Sequence, residues 1–304
     1  MSNIEELLNL GIVVINNPRG PSSHQVAEWA RNILEVKKAG HLGTLDPDVS
    51  GVLPVLLGRA TNATSFLMKH DKEYVGIMKF DGEISETDID RLFKEFTGEI
   101  WQIPPVGAAV ARRKRKRVIY SLELLERNGK EILFDVKCEA GTYIRTLAED
   151  MGKRVRNKAK LTELRRINVG SFNENNAVSL QGLSDAYWFW KEKGNEKKLR
   201  ELLHPIEDAI KNFKKVWLFD TAINAVCSGA QLMMPGIAKF EEGIGIGETI
   251  VIMSQKGELV AFGEAKMSSK EMQINEKGQA AKIERVIMER GKYPRSWASK
   301  RNKN

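Results

Sequence analysis

The stretch GHLGTLDPDVSG, Gly40 to Gly51, packs three glycines, one proline, two aspartates and a histidine into twelve residues. Glycine and proline at that density make a turn rather than a helix or strand. Asp46 precedes Pro47, and the residue before proline is pushed towards extended geometry. Its carboxylate is therefore held out of helix and can point into a cleft. Asp48 is an equivalent rival two residues on. An Asx-type turn residue is the ordinary reading of either. Turn mechanics alone do not choose between them.

The flanking elements follow from spacing. GIVVI (Gly11–Ile15) reads as a short buried strand stopped by the turn cluster NNPRGP. Ser22 or Ser23 caps a helix running to about Val36, with Val26, Trp29, Ile33 and Leu34 on its apolar stripe. KEYVGIMKF (Lys72–Phe80) alternates as a strand. SETDIDRLFKEF (Ser85–Phe96) starts on a cap and carries Ile89, Leu92 and Phe93 at helical spacing. EILFDVKC puts Ile132, Phe134, Val136 and Cys138 on one strand face. TYIRTLAEDMGKRV is a helix with Ile144, Leu147 and Met151 on one side, and Leu199–Phe213 reads as another. These elements follow no βαβ rhythm, which favours an α+β domain. After about residue 214 the texture changes. A short helix at Thr221–Leu232 precedes glycine-punctuated strands in ETIVIMS, ELVAFGEAKM and AKIERVIM, the pattern of a small β-barrel-like domain. The tail from Lys292 to Asn304 holds five basic and no acidic residues and reads as disordered or RNA-facing.

Composition narrows the function classes. The 304 residues carry a net charge of +8 and 42% hydrophobic residues, so the chain folds and favours polyanions, nucleic acid first. No apolar run approaches the roughly 20 residues needed to cross a bilayer, and the N-terminus lacks a basic leader. Two distant cysteines, Cys138 and Cys227, fit neither a disulfide framework nor a zinc spacing, so a reducing cytoplasm is the expected location. The four histidines, His24, His41, His70 and His204, form no metal motif. The glycine run GIGIG lacks the Lys-Ser/Thr of a phosphate loop.

Two basic features remain. RRKRKR (Arg112–Arg117) places six charges in six residues, either as a solvated loop or strand face or as a contact to RNA or DNA, with Arg112, Arg113 and Lys114 leading. ELRRI (Glu163–Ile167) pairs Arg165 with Arg166, either on an exposed edge or as two phosphate clamps, since the guanidinium fork matches phosphate.

Four stretches in order then resemble the motifs of the TruB/dyskerin group of pseudouridine synthases: AGHLGTLDPDVSGVLPVLLGRAT, KEYVGIM, CEAGTYIRTLAEDMG and ELRRINVGSF. The resemblance covers nearly the whole chain. FTGEIWQIPPVGAAVARRKRKRVIY and LLHPIEDAI are similar to the dyskerin branch, and the absence of long lysine-rich tails matches its archaeal form. It implies a pseudouridine synthase fold with a mixed, mainly antiparallel central sheet over residues 1–213. A PUA RNA-binding domain would follow over 214–290, then a basic tail over 291–304.

The resemblance selects Asp46 over Asp48 as the catalytic carboxylate, either attacking the sugar or removing the C2′ proton. Tyr74 would stack on the target base, Arg145 would pair with Asp46, and His41 would help hold the displaced nucleotide unless it only bonds locally. Gly229, Ala230, Leu232, Pro235 and Gly236 would meet the ACA end of a guide RNA, although without the resemblance Leu232–Met234 reads as core. The implied partners are an H/ACA guide RNA, substrate rRNA or tRNA, and small H/ACA core proteins, with no membrane. No cofactor or metal is called for. A guide-independent tRNA synthase and a non-catalytic RNA scaffold are the alternatives. One departure stands out: many members begin the first motif with D-K-P-x-G, where this chain has Asn16 and Asn17.

Overall fold

The computed structural model describes residues 3–105 and 110–293. Most of the basic tail lies outside them. By its own contacts the chain divides into two compact units that are not contiguous in sequence. One comprises Val13–Leu56 and Met68–Leu203, the other Met1–Ile12, Leu57–Leu67 and His204–Asn304.

The larger unit is built on a mixed sheet. Its strands are β1 (Gly11–Asn17), β2 (Ala39–His41), β3 (Ser50–Leu57), β4 (Lys72–Phe80), β5 (Gly98–Gln102), β6 (Arg115–Asn128), β7 (Glu131–Cys138), β8 (Ala159–Val169) and β9 (Phe172–Asn173). The order is β1-β3-β8-β4-β7-β6-β5, with β2 on β3 and β9 on β8. β3 and β8 run parallel, whereas β8-β4, β4-β7, β7-β6 and β6-β5 are antiparallel. Helices α2 (Ser23–Ile33), α4 (Glu86–Phe96), α5 (Ile144–Arg154), α6 (Leu180–Lys193) and α7 (Lys197–Leu202) complete it. α2 starts on a full capping box between Ser22 and Gln25, and Ser85 caps α4. Ile132, Phe134, Val136 and Cys138 are all buried, as their alternation requires.

The smaller unit holds α1 (Ile4–Leu10), α3 (Thr64–Leu67), α8 (Asp220–Cys227), α9 (Ser269–Ile274) and the short strand β10 (Leu203–Pro205). Its own sheet contains β11 (Lys215–Leu218), β12 (Leu232–Met233), β13 (Ile237–Phe240), β14 (Thr249–Ser254), β15 (Leu259–Ala265) and β16 (Gln279–Val286). The order is β12-β16-β15-β14-β11-β13. Val216, Leu218, Ile223, Ile250, Ile252, Val260 and Met272 fill its core. Phe66 joins this unit by stacking on Phe262 with ring centroids 4.4 Å apart.

Three expectations need correction. Leu199–Phe213 is not one helix. α7 stops at Leu202, and β10 and a 3₁₀ turn (Ile206–Ile210) follow. Pro205 removes an amide donor and forces its predecessor extended, which the apolar spacing concealed. The helix expected over Thr221–Leu232 ends at Cys227, ahead of Gly229 with φ 97°. ELRRI is no exposed edge, because β8 lies inside the sheet between β3 and β4.

Candidate active site and nucleic-acid interface

The catalytic-loop candidate is pinned from several sides. Leu42, Leu45 and Val49 are buried, while Asp46, Pro47 and Asp48 between the last two are exposed. The Val49 amide donates to the Asp46 carbonyl at 2.9 Å, closing a turn with Pro47 at its first central position. The Gly20 amide donates to the Pro47 carbonyl at 2.9 Å. The buried Ser23 hydroxyl accepts from the Leu45 amide at 2.8 Å and donates to the Leu45 carbonyl at 3.3 Å. Asn17, itself buried, donates to the Val49 carbonyl at 3.3 Å. The apolar anchors fix the backbone, and the carboxylate is left to face outward.

Gly51 ends the loop at φ 112°, and a Cβ placed there would collide with the backbone of Arg166 on β8. Gly51→Ala is therefore expected to cost about 2–4 kcal/mol through strained dihedrals and a displaced strand. Denaturant unfolding checks this. An unchanged midpoint would mean that the parallel β3-β8 contact does not depend on the close approach.

Arg145 sits in the first turn of α5 and its guanidinium pairs with the Asp46 carboxylate. Both side chains keep about half their surface in solvent (46% and 57%), so a substrate can reach them. The start of α5 is fixed by Gln102 on β5. Its amide donates to the Tyr143 carbonyl and accepts from the Tyr143 amide, each at 3.0 Å. Sequence reasoning missed Gln102 and Ser23, since a lone glutamine or a serine at a helix start gives no signal beyond local capping.

Tyr74 lies on β4 beside this pair. It is half-buried, and the Arg166 guanidinium is a charged neighbour of its hydroxyl. Burial pushes the phenol's pKa up, with Arg166 opposing. The phenol is thus neutral near pH 7.

The paired arginines separate. Arg166 is buried, 1% exposed, and donates to the Val52 carbonyl at 2.8 Å and the Gly43 carbonyl at 3.0 Å. As a clamp on RNA phosphate it is corrected, since β8 turns it inward, towards the backbone of the Gly40–Gly51 loop. Arg165 faces the other side of the sheet. It donates to Glu174 at 2.5 Å, Asn16 at 3.1 Å and Ser50 at 3.4 Å. Asn16 thus keeps an acceptor where the familiar motif has Asp. His41 lies 3.2 Å from the Thr44 hydroxyl through Nε2, and burial lowers its pKa, with Arg166 and His24 adding to the effect.

The basic run spans the loop before β6 and its first residues. Arg112, Arg113 and Lys114 are exposed. Arg112 donates to the Pro104 carbonyl at 3.2 Å, and Lys114 lies 5.3 Å from the Trp101 ring centroid. This is a cationic surface carrying an exposed aromatic.

In the smaller unit, Gly229, Ala230 and Pro235 are exposed and Gly236 is half-buried. The Gly236 carbonyl accepts from the Phe219 amide at 3.0 Å. Leu232 is 1% exposed and belongs to the core, so its side chain is corrected as an RNA contact. Among the described residues no helix is long and apolar enough to cross a membrane.

The model for the N-terminal domain of TruB family pseudouridylate synthases matches residues 31–144. The model for the tRNA pseudouridylate synthase B C-terminal domain matches 145–211, and that for the PUA domain matches 214–287. A probable tRNA pseudouridine synthase B of Methanocaldococcus jannaschii is 51% identical over 298 residues, covering 98% of this chain and 89% of that protein. A chain in the structure of a Cbf5-Nop10-Gar1 complex superposes with a TM-score of 0.93 at 45% identity, covering 97% of this chain and 90% of that one. A chain in an H/ACA RNP bound to a substrate RNA containing 2′-deoxyuridine superposes with a TM-score of 0.90 at 44% identity, covering 97% and 90%.

Proposed function

Because the chain belongs to the TruB family of pseudouridylate synthases, isomerases that act on RNA, we propose that it converts uridine to pseudouridine at positions chosen by an H/ACA guide RNA. Its substrate is rRNA, with tRNA a second target. The observation that carries this reading is the Asp46–Arg145 pair on a pinned turn, with Tyr74 beside it. A merely RNA-binding scaffold has no need of that combination.

The reaction breaks the C1′–N1 bond, turns the base and joins C5 to C1′. Substrate and product are isomers. The target base must first leave its stack, at a cost of a few kcal/mol. Tyr74 offers a ring face for the extruded base, and stacking of this kind contributes roughly 1–3 kcal/mol. Asp46 acts at the ribose as nucleophile or base, with Arg145 orienting it and supplying the opposite charge. Asp48 remains a turn residue.

The catalytic domain is assigned to 1–213 and the PUA domain to 214–290. The exposed Gly229, Ala230, Pro235 and Gly236 take the end of the guide, and glycine permits close backbone approach. Small core proteins of the kind in the Cbf5-Nop10-Gar1 complex are the expected partners, supported by likeness along 97% of the chain. A cytoplasmic location accords with these RNA substrates. The relatives' name, tRNA pseudouridine synthase B, favours one second reading, guide-independent action on tRNA. Turnover by the purified protein on tRNA, alone and with core proteins plus guide, separates the two. Guide-dependent product supports the proposal, and equal product on free tRNA overturns the guide requirement.

The basic run contributes affinity rather than chemistry. Changing Arg112, Arg113 and Lys114 together to Ser is expected to weaken RNA binding and to reduce the slope of log K against log salt by about 2–3. A salt titration of binding checks this, and an unchanged slope would remove the run from the interface.

A further inference from the structure

Beneath the catalytic loop lie two buried cations that the mechanism above does not use for chemistry. Arg166 is 1% and Lys72 6% exposed. Lys72 donates to the Met68 carbonyl at 2.8 Å and to the His70 carbonyl. A Cβ added at Gly43 would lie 3.3 Å from a guanidinium nitrogen of Arg166 and 3.4 Å from Cε of Lys72. Both cations therefore lie close to the same loop residue, three positions before Asp46. Among the described residues no carboxylate forms an ion pair with either one. Arg166 faces the Tyr74 hydroxyl, and the acidic group acting on Lys72 is Asp71.

Burying one charge without a counter-ion is expensive, and burying two side by side is more so. Fold stability alone does not call for them, since apolar side chains would fill the space at lower cost. Such an arrangement becomes useful where negative charge develops during a reaction, because preorganised positive charge in a dry site then needs no rearrangement. The isomerisation has such a moment. When C1′–N1 breaks, its electron pair goes to N1 of the base. The ring holds that negative charge until C5 bonds to C1′; the C5 proton then leaves and N1 takes up a proton.

We propose that Lys72 is a positioning residue for the isomerisation, which with Arg166 carries the catalytic loop and holds positive charge beneath Tyr74 for the negative charge of the detached base. This rests on the family reading of Asp46 and Tyr74. Lys72 acts through the loop and through its field, without touching substrate.

The ionisation of Lys72 makes the proposal testable. Burial first, and Arg166 second, lower its pKa to about 8. Cys138, opposite it on β7, is pushed up to about 12 by burial, Tyr74 is raised, and Arg166 stays charged. Asp71 acts on it in the opposite sense, and His70 accepts from it through its backbone carbonyl. Deprotonating Lys72 does not unfold the chain. Its folded pKa lies below the unfolded value, so the unfolded state binds the proton more tightly and this group's contribution to stability rises with pH from about 8 upward.

The experiment uses the complex reconstituted with guide RNA and core proteins, reading single-turnover release of a hydrogen isotope from C5 across pH. The wild type is expected to lose rate on an alkaline limb centred near the Lys72 pKa. Lys72→Met is expected to be roughly 10–100-fold slower with KM and RNA affinity unchanged, and to lack that limb. Lys72→Arg is expected to restore most of the rate and to hold it to higher pH. If Lys72→Met lowers Tm but the folded complex keeps wild-type rate and the wild-type limb, Lys72 is only structural and the inference falls. If Lys72→Met is too unstable to assemble, the wild type and Lys72→Arg decide: coincident pH profiles overturn the inference, and a limb displaced in Lys72→Arg supports it. If the wild-type complex makes no pseudouridine, the underlying functional reading fails instead.

Discussion

Asp46→Asn is expected to reduce pseudouridine formation by the assembled complex ~10³-fold or more, leaving RNA affinity within about twofold. The substitution keeps the size of the side chain and the turn that Val49 and Gly20 close around it. What it removes is the negative charge and the nucleophilic or basic oxygen. The carboxylate is solvent-facing and its neighbours are pinned through their backbone, so the fold does not depend on it. A stability measurement alongside the rate checks that separation. Asp48→Asn is the internal control, two residues away on the same turn, and is expected to be near wild type. Equal losses at both positions would mean that the turn, rather than Asp46, carries the effect.

Arg145→Met has the second largest expected effect, a rate loss of ~10²–10³-fold with a smaller change in RNA affinity. The guanidinium reaches Asp46 from the first turn of α5, whose start Gln102 fixes through two backbone hydrogen bonds. Without it the carboxylate loses the group that fixes its rotamer. Loose placement of a reacting group is costly. Arg145→Lys keeps the charge and loses the planar fork, so an intermediate rate is expected. The double variant Asp46→Asn/Arg145→Met is expected to be hardly slower than Asp46→Asn alone, because the arginine acts through the aspartate. Single-turnover rates on guide-bound substrate measure all three, and additive losses would separate the two residues.

How far the sequence reveals this molecule depends on the kind of signal. β4 and β7 are readable to their ends because one face of each is buried, which imposes an alternation of period two. α4 is readable because Ser85 caps it and its apolar stripe has one period. Leu199–Phe213 is misread because apolar spacing outlasts the helix, and Pro205 decides the matter locally. The arginine pair is misread for a different reason. Adjacent strand residues point to opposite faces, so one of Arg165 and Arg166 had to point inward, yet charge alone suggests that both face solvent. Only the position of β8 within the sheet shows that Arg166 is the inward one. The same limit hides Lys72, which sequence reading passes as an ordinary strand lysine. Asp46 becomes distinguishable from Asp48 only through the surrounding motifs. In the fold, the difference lies in the pairing of Asp46 with Arg145, 99 residues away in sequence.

On the proposed reading, Asp46, Arg145 and Tyr74 work on a uridine that a guide RNA delivers. The most direct measurement maps pseudouridine in one substrate RNA after incubation with the assembled complex and either of two guides, whose pairing segments differ by a shift of one nucleotide across adjacent uridines. The modified position is expected to move with the guide and to vanish in Asp46→Asn. The same uridine modified with both guides, or with none, would contradict it.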